Sequence, residues 1–287
     1  MRTSRSLFIP VRGIDYHVRT WGDAASLRLF LLHGWMDVGA SFQFLVDALQ
    51  RNWYVIAPDW RGYGQSGWCA DGYWYADYVA DLEVLVDHFS PDEPARLVGH
   101  SLGGNVVGVY AGVRPQRVLR AVSLEGFGIP AEAPELAPEK MRSWLDALRD
   151  PPQFASYANF AAVADRLQKN NPRLSRDKAE FLAAHWAEAM PDGSARLRSD
   201  PRHKLPFPTV YRIEESLAIW RRATLPVLWV AGSDSFVRKW LGDGEAELSR
   251  RMKGFPDCRL ITIENAGHML HHDQPAAVAA AIEAFLS

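Results

Sequence analysis

Residues 97–104 read Leu97-Val98-Gly99-His100-Ser101-Leu102-Gly103-Gly104, an apolar run that stops at a serine with a glycine on either side. Serine is a favoured helix N-cap, and short Gly-x-Ser-x-Gly matches arise by chance. A cap explains Ser101 but gives Gly99 and Gly103 no purpose, although glycine weakens both strand and helix. A second reading accounts for all of them. Where a strand turns sharply into a helix, the central residue is held in a strained conformation, and its neighbours on either side must be nearly bare. The helix opening at Leu102 then aims its free amides and positive dipole end at whatever approaches Ser101. A nucleophile so placed still needs a base.

Outward from this turn, solid apolar runs recur at 27–32 (LRLFLL), 53–57 (WYVIA), 95–98, 118–124, 226–231 (PVLWVA) and 259–263 (RLITI). Amphipathic stretches such as 77–89, with Val79, Leu82, Leu85, Val86 and Phe89 on one face, separate them. Such blocks read as strands of a parallel sheet covered on both faces. Segments 6–11 and 14–21, joined by Arg12-Gly13, suit a hairpin ahead of them. The expected fold is α/β, a mostly parallel doubly wound sheet of about eight strands. The pattern lapses between residues 126 and 223, where helical patches fall near 138–148, 155–168, 177–190 and 214–222 and no strand block appears. We read 1–125 and 224–287 as the core and 126–223 as a helical cap, or lid, inserted between two strands.

The bulk properties narrow the class. With 287 residues, 48% hydrophobic and 23% charged, the chain can fill a sizeable core. A formal net charge of -2 argues against nucleic acid or an anionic membrane surface as partner. The two cysteines, Cys69 and Cys258, have neither metal-binding nor redox spacing and read as buried free thiols. No apolar run is long enough for a secretory leader or a membrane span, so a cytoplasmic protein is expected. Of eleven tryptophans, Trp35, Trp60, Trp68 and Trp74 fall in loops assigned to one rim. No motif bears on oligomeric state.

Late in the chain, Glu264-Asn265-Ala266-Gly267-His268-Met269 follows the last strand block. Ligands of open α/β sheets sit at the carboxyl ends of the strands, where a histidine after one strand can reach a serine after another. His268 is therefore the expected base. His271 and His272 follow it, but no acid or cysteine at ligand spacing accompanies the three, so no metal is expected. Two acids compete to steady the imidazole. Asp234 follows PVLWVA in Gly232-Ser233-Asp234, and Glu125 follows the strand before the insertion in Ser123-Leu124-Glu125. The shorter Asp234 is preferred, leaving Glu125 as the alternative acid or a pocket residue. An acyl-transfer serine also needs oxyanion donors. Leu102 N–H supplies one, and Trp35 N–H, in His33-Gly34-Trp35 after LRLFLL, the other. His33 and His100 are assigned to the pocket.

These motifs together resemble the α/β-hydrolase superfamily, and the likeness covers nearly the whole chain. HGW at 33–35, DWRGYGQS at 59–66, GHSLGG at 99–104, GSD at 232–234 and GH at 267–268 carry it, in the superfamily's chain order of Ser101, Asp234, His268. HGWMD, GHSLGG and SLEGFG resemble its serine-hydrolase-like branch. The resemblance implies scaffolding for the Asp59–Ser66 loop and no cofactor. Serine rather than aspartate at position 101 argues against the dehalogenase and epoxide-hydrolase branches. The function expected is a serine hydrolase acting on a carboxylic ester or related small acyl substrate. Cofactor-free lyases, perhydrolases and slow-turnover receptors share the same elbow and are the alternatives.

Overall fold

The computed structural model describes residues 1–242 and 244–287. It opens with β1 (Ser4–Val11) and β2 (Ile14–Trp21), followed by β3 (Leu27–Leu32), α1 (Gln43–Ala48), β4 (Trp53–Pro58), α2 (Tyr75–Phe89), β5 (Ala95–His100), α3 (Leu102–Val113) and β6 (Val118–Leu124). The segment before the next large strand holds α4 (Ala137–Arg149), α5 (Phe160–Asn170), α6 (Arg176–Trp186), β7 (Ala187–Ala189), β8 (Ala195–Leu197) and α7 (Ile213–Trp220). The chain closes with β9 (Val227–Gly232), α8 (Val237–Trp240), α9 (Gly244–Met252), β10 (Cys258–Ile263), α10 (Leu270–Asp273) and α11 (Pro275–Leu286).

Eight strands form one sheet in the order β1-β2-β4-β3-β5-β6-β9-β10. β2 is antiparallel to both its neighbours, and every pairing from β4 to β10 is parallel. Arg12 and Gly13 both have positive φ (47° and 80°), as a tight two-residue hairpin turn requires. The apolar strand blocks are solid because the sheet is buried on both faces. Phe30, Leu32, Ile56, Leu97 and Trp229 pack with residues of α2, α3 and α7. Their alternates Leu29, Leu31, Val55, Val98 and Leu228 pack with α1 and α11. Full burial of each such side chain contributes roughly 1.5–3 kcal/mol, which is why single side-chain alternation decides the layer to which a residue belongs.

The inserted segment is mainly helical, with a core of its own in which Val163, Ala164, Leu167, Leu182 and Ala183 surround Phe44. It departs from the sequence reading in two places. The stretch 187–197 is a short antiparallel pair, β7 with β8, where a helix had been expected to run on to 190. And α7 packs on α3, with Ile213, Leu217 and Trp220 in the main core rather than above it. Cys69 and Cys258 are free, as expected, but half-buried rather than buried. No helix among the described residues is long and apolar enough to cross a membrane.

Candidate active site

The strand-to-helix turn has the strain its sequence foretells. Ser101 sits at φ 51°, ψ -113°, a region that non-glycine residues avoid and that costs of order 1–3 kcal/mol. The surroundings hold it there: Ser101 N–H donates to Leu124 O (2.8 Å), and Ser101 O accepts from Asn105 N–H (3.0 Å). The flanking glycines are close-approach positions. A Cβ on Gly99 would fall 2.2 Å from the Gly103 carbonyl carbon, and one on Gly103 would fall 2.1 Å from Leu32 O. Gly34, in the loop after β3, presses on the same turn, with its Cβ position 2.9 Å from His100 Nδ1 and 3.2 Å from Ser101 Cβ. The loop bearing Trp35 therefore lies directly against the serine, beside the start of α3 at Leu102.

His268 comes to this end of the sheet from the loop after β10. His100 Nε2–H donates to His268 O (2.8 Å), and the two rings lie 4.8 Å apart. The strand that delivers Ser101 thus also fixes the backbone of His268. The His268 imidazole meets Glu125 and not Asp234. Its Nδ1 lies 3.3 Å from Glu125 Oε2. Glu125 Oε1 accepts the Gly232 N–H (2.7 Å), Oε2 also accepts the Ser235 hydroxyl, and Glu125 N–H donates to Val230 O (3.0 Å). A carboxylate accepting from His268 keeps the proton on Nδ1 and leaves Nε2 as the basic nitrogen. Ser101 Oγ has no hydrogen bond among the described residues.

Asp234, the acid preferred from sequence, is not brought to His268. Its carboxylate turns outward, about half exposed, and pairs with Arg173 of the inserted segment. Its amide is bound to Ala266 O (2.9 Å) and Ser233 Oγ accepts Asn265 N–H (3.0 Å), so the loop after β9 is tied to the His268 loop without the Asp234 carboxylate. Arg173 could not be found from sequence, because it lies in the turn between α5 and α6 and belongs to no motif. Nothing local marked Ser235 either.

His33 and His100 lie behind the site rather than lining a pocket. His33 is fully buried, its Nδ1–H donates to Gly34 O (2.7 Å), and its Nε2 accepts Trp60 N–H (2.8 Å). Burial lowers its pKa to about 4, with Asp59 acting in the opposite sense, so it is neutral near pH 7. The same desolvation, reinforced by His268, holds His100 well below its usual value. Asp59 is scaffold as expected. Burial alone would raise its carboxyl, but bonds from His17 Nδ1 (2.7 Å) and Gln65 N–H (2.9 Å) carry it below the ordinary range, and it also accepts Gly39 N–H (2.7 Å). Of the rim tryptophans, Trp60 is core, whereas Trp35, Trp68 and Trp74 are exposed.

The inserted segment is fastened to these loops. Gly64 N–H donates to Arg198 O (2.7 Å), Asp200 N–H to Gly62 O (2.9 Å), and Trp35 Nε1–H to His203 O (3.3 Å). The His203 ring stacks between Tyr63 and Tyr73 at 3.8 and 3.7 Å.

An eight-stranded sheet of this order with a strained serine after β5 defines a hydrolase class of fold, and the comparisons agree. Residues 28–275 match the family model of the alpha/beta hydrolase fold, and the chain belongs to that family. It is 28% identical to a serine hydrolase-like protein of Danio rerio, covering 100% of this chain and 90% of that one. It is 30% identical to the lipase LipV of Mycobacterium tuberculosis, covering 95% and 98%. Among solved structures, the thioesterase domain of the curacin biosynthetic pathway superposes with a TM-score of 0.86 at 23% identity, covering 98% and 99%, a likeness of fold.

Proposed function

We propose that the protein is a serine hydrolase of carboxylic esters or related acyl compounds, with Ser101 as nucleophile, His268 as base and Glu125 as the acid that positions His268. The observation that carries this reading is the strained Ser101 turn next to His100, whose ring lies 4.8 Å from a His268 imidazole held through Nδ1 on a buried carboxylate. His268 Nε2 takes the Ser101 proton as Oγ adds to the substrate carbonyl, and Glu125 stabilises the imidazolium. The N–H groups of Trp35 and Leu102 receive the oxyanion. His268 then returns the proton to the departing alcohol, leaving an acyl-Ser101 ester. Water, deprotonated by the same Nε2, releases the acid and restores the serine. The Ser101 proton leaves with the alcohol and the proton taken from water passes from His268 to Ser101 Oγ, so the cycle closes without a cofactor.

The mouth of the site favours an apolar or aromatic acyl group. Phe236 lies 5.2 Å from the His268 ring, and Phe236, Trp240 and Trp35 are all exposed. The similarity to a protein named as a lipase supports ester chemistry. The inserted segment serves as the lid. Ser101→Ala is expected to lower p-nitrophenyl ester hydrolysis by about 10⁴-fold or more while circular dichroism stays unchanged. A folded Ser101→Ala protein with the parent rate would refute the reading.

A further inference from the structure

Behind the nucleophile, buried polar atoms converge with nothing to bond to. Asp37, His100 and His271 are each at most 3% exposed, and one potential ligand atom from each lies within 4.8 Å of the others. Asp37 Oδ2, His100 Nδ1 and both ring nitrogens of His271 have no hydrogen-bond partner among the described residues. Each such orphan costs about 1–3 kcal/mol if it stays unpaired, so their gathering at one point calls for a common partner.

We propose that Asp37, His100 and His271 form a divalent transition-metal site, of a kind that takes Zn2+. The outer contacts are those that aim ligands. Asp37 Oδ1 is occupied by Val38 N–H (2.8 Å) and the Ser41 hydroxyl, which leaves Oδ2 free. His100 spends its Nε2–H on His268 O, which leaves the Nδ1 lone pair facing inward. A histidine whose second nitrogen donates to a carbonyl, beside a carboxylate already hydrogen-bonded, is the usual support of a protein-bound metal. His272 is not part of the set, because its Nε2 is engaged by Ser41 O (3.2 Å). The Phe42 ring, 5.2 Å from His271, closes one side. Two imidazole nitrogens and one carboxylate oxygen leave a fourth tetrahedral position for water. The ligands come from the loop after β3, the end of β5 and α10. An ion there would brace the loops that carry Trp35, Ser101 and His268, and it would take no part in the proposed acyl transfer.

The spacing of His268, His271 and His272 hid this site, because its acid lies near the other end of the chain and its second imidazole in the serine turn. The test uses the full chain, stripped with chelator, incubated with Zn2+ or Co2+ and desalted. Retention of about one ion per chain, a visible Co2+ spectrum of a four-coordinate nitrogen–oxygen site, and a raised melting temperature are expected. Asp37→Asn and His271→Gln should each weaken binding at least about 10-fold, and Ser41→Ala, which keeps all three ligands, by about as much. His88→Gln, on the exposed face of α2, should leave it unchanged. Parent protein that retains no metal would assign these atoms to buried water and overturn the proposal. So would undiminished binding in whichever of the three site variants fold.

Discussion

Two neighbouring strands, β6 and β9, end in an acid on the same side of the sheet, and the two acids have opposite fates. Glu125, in the residue after β6, has a fully buried side chain; Asp234, two residues after β9, has a side chain 47% exposed. Glu125 is enclosed by donors from three places: the Gly232 amide, the Ser235 hydroxyl and His268 Nδ1. Charge-assisted bonds of this kind are roughly twice as strong as neutral ones. Asp234 and Arg173 form an exposed pair, a type worth about 0–1 kcal/mol. An acid at a strand end is thus not enough to support a base. It must be desolvated, held on its free oxygens, and aimed at the imidazole, and β9 itself supplies the Gly232 amide that holds its rival.

The largest effect that would break this comparison is at Glu125. Glu125→Gln keeps the shape and an acceptor but not the charge, and kcat should fall by about 10³–10⁴-fold with the fold intact. Because the role proposed for Glu125 is exerted through His268, the pH–rate profile should change as well, and Glu125→Asp should recover part of the rate. A Glu125→Gln enzyme with parent kcat and an unmoved profile would return the role to another group.

A second prediction concerns what lies behind the buried strand ends. Burial lowers His33 to about 4, and burial also lowers His203 and His272 to about 3. Each binds its proton more readily unfolded than folded. Their contribution is therefore complete above the ordinary histidine value near 6.5 and is lost as pH falls toward 4 and then 3. For His33 this amounts to about 3 kcal/mol. Asp37 opposes them, because burial raises its carboxyl to about 7 and so favours the folded state on the acid side of that value. Three histidines outweigh one acid, and the melting temperature should drop between pH 6.5 and 4. Scanning calorimetry showing no decline over that range would contradict the assignment of buried, neutral imidazoles.

The smallest effect is expected at Asp234. Asp234→Asn removes one exposed ion pair to the inserted segment and should change kcat/KM by less than about 3-fold and stability by no more than about 0.5 kcal/mol. A loss of 100-fold or more would make Asp234, rather than Glu125, the partner of His268.

Most of the fold was legible because its causes are local. Solid apolar blocks such as LRLFLL and PVLWVA can be satisfied only by a sheet covered on both faces, and the observed layers follow that pattern. The turn at Ser101 was legible for the same reason, since its glycines record steric demands within a few residues. The pair at 187–197 was not, because strands of three residues, AEA and ARL, are too short to carry a periodicity. The burial of His33 and His100 was not legible either, because it depends on which distant segments pack over them rather than on residue type.

Sequence by itself determined the class of sheet, the serine elbow and the histidine that arrives late in the chain. Tertiary structure alone brought the Glu125 carboxylate, and not that of Asp234, to His268, with Asp234 paired instead to Arg173, distant in sequence. It alone also gathered Asp37, His100 and His271. Hydrophobic pattern and turn chemistry act over a few residues, whereas desolvation and the aim of a side chain depend on which distant segments close around it.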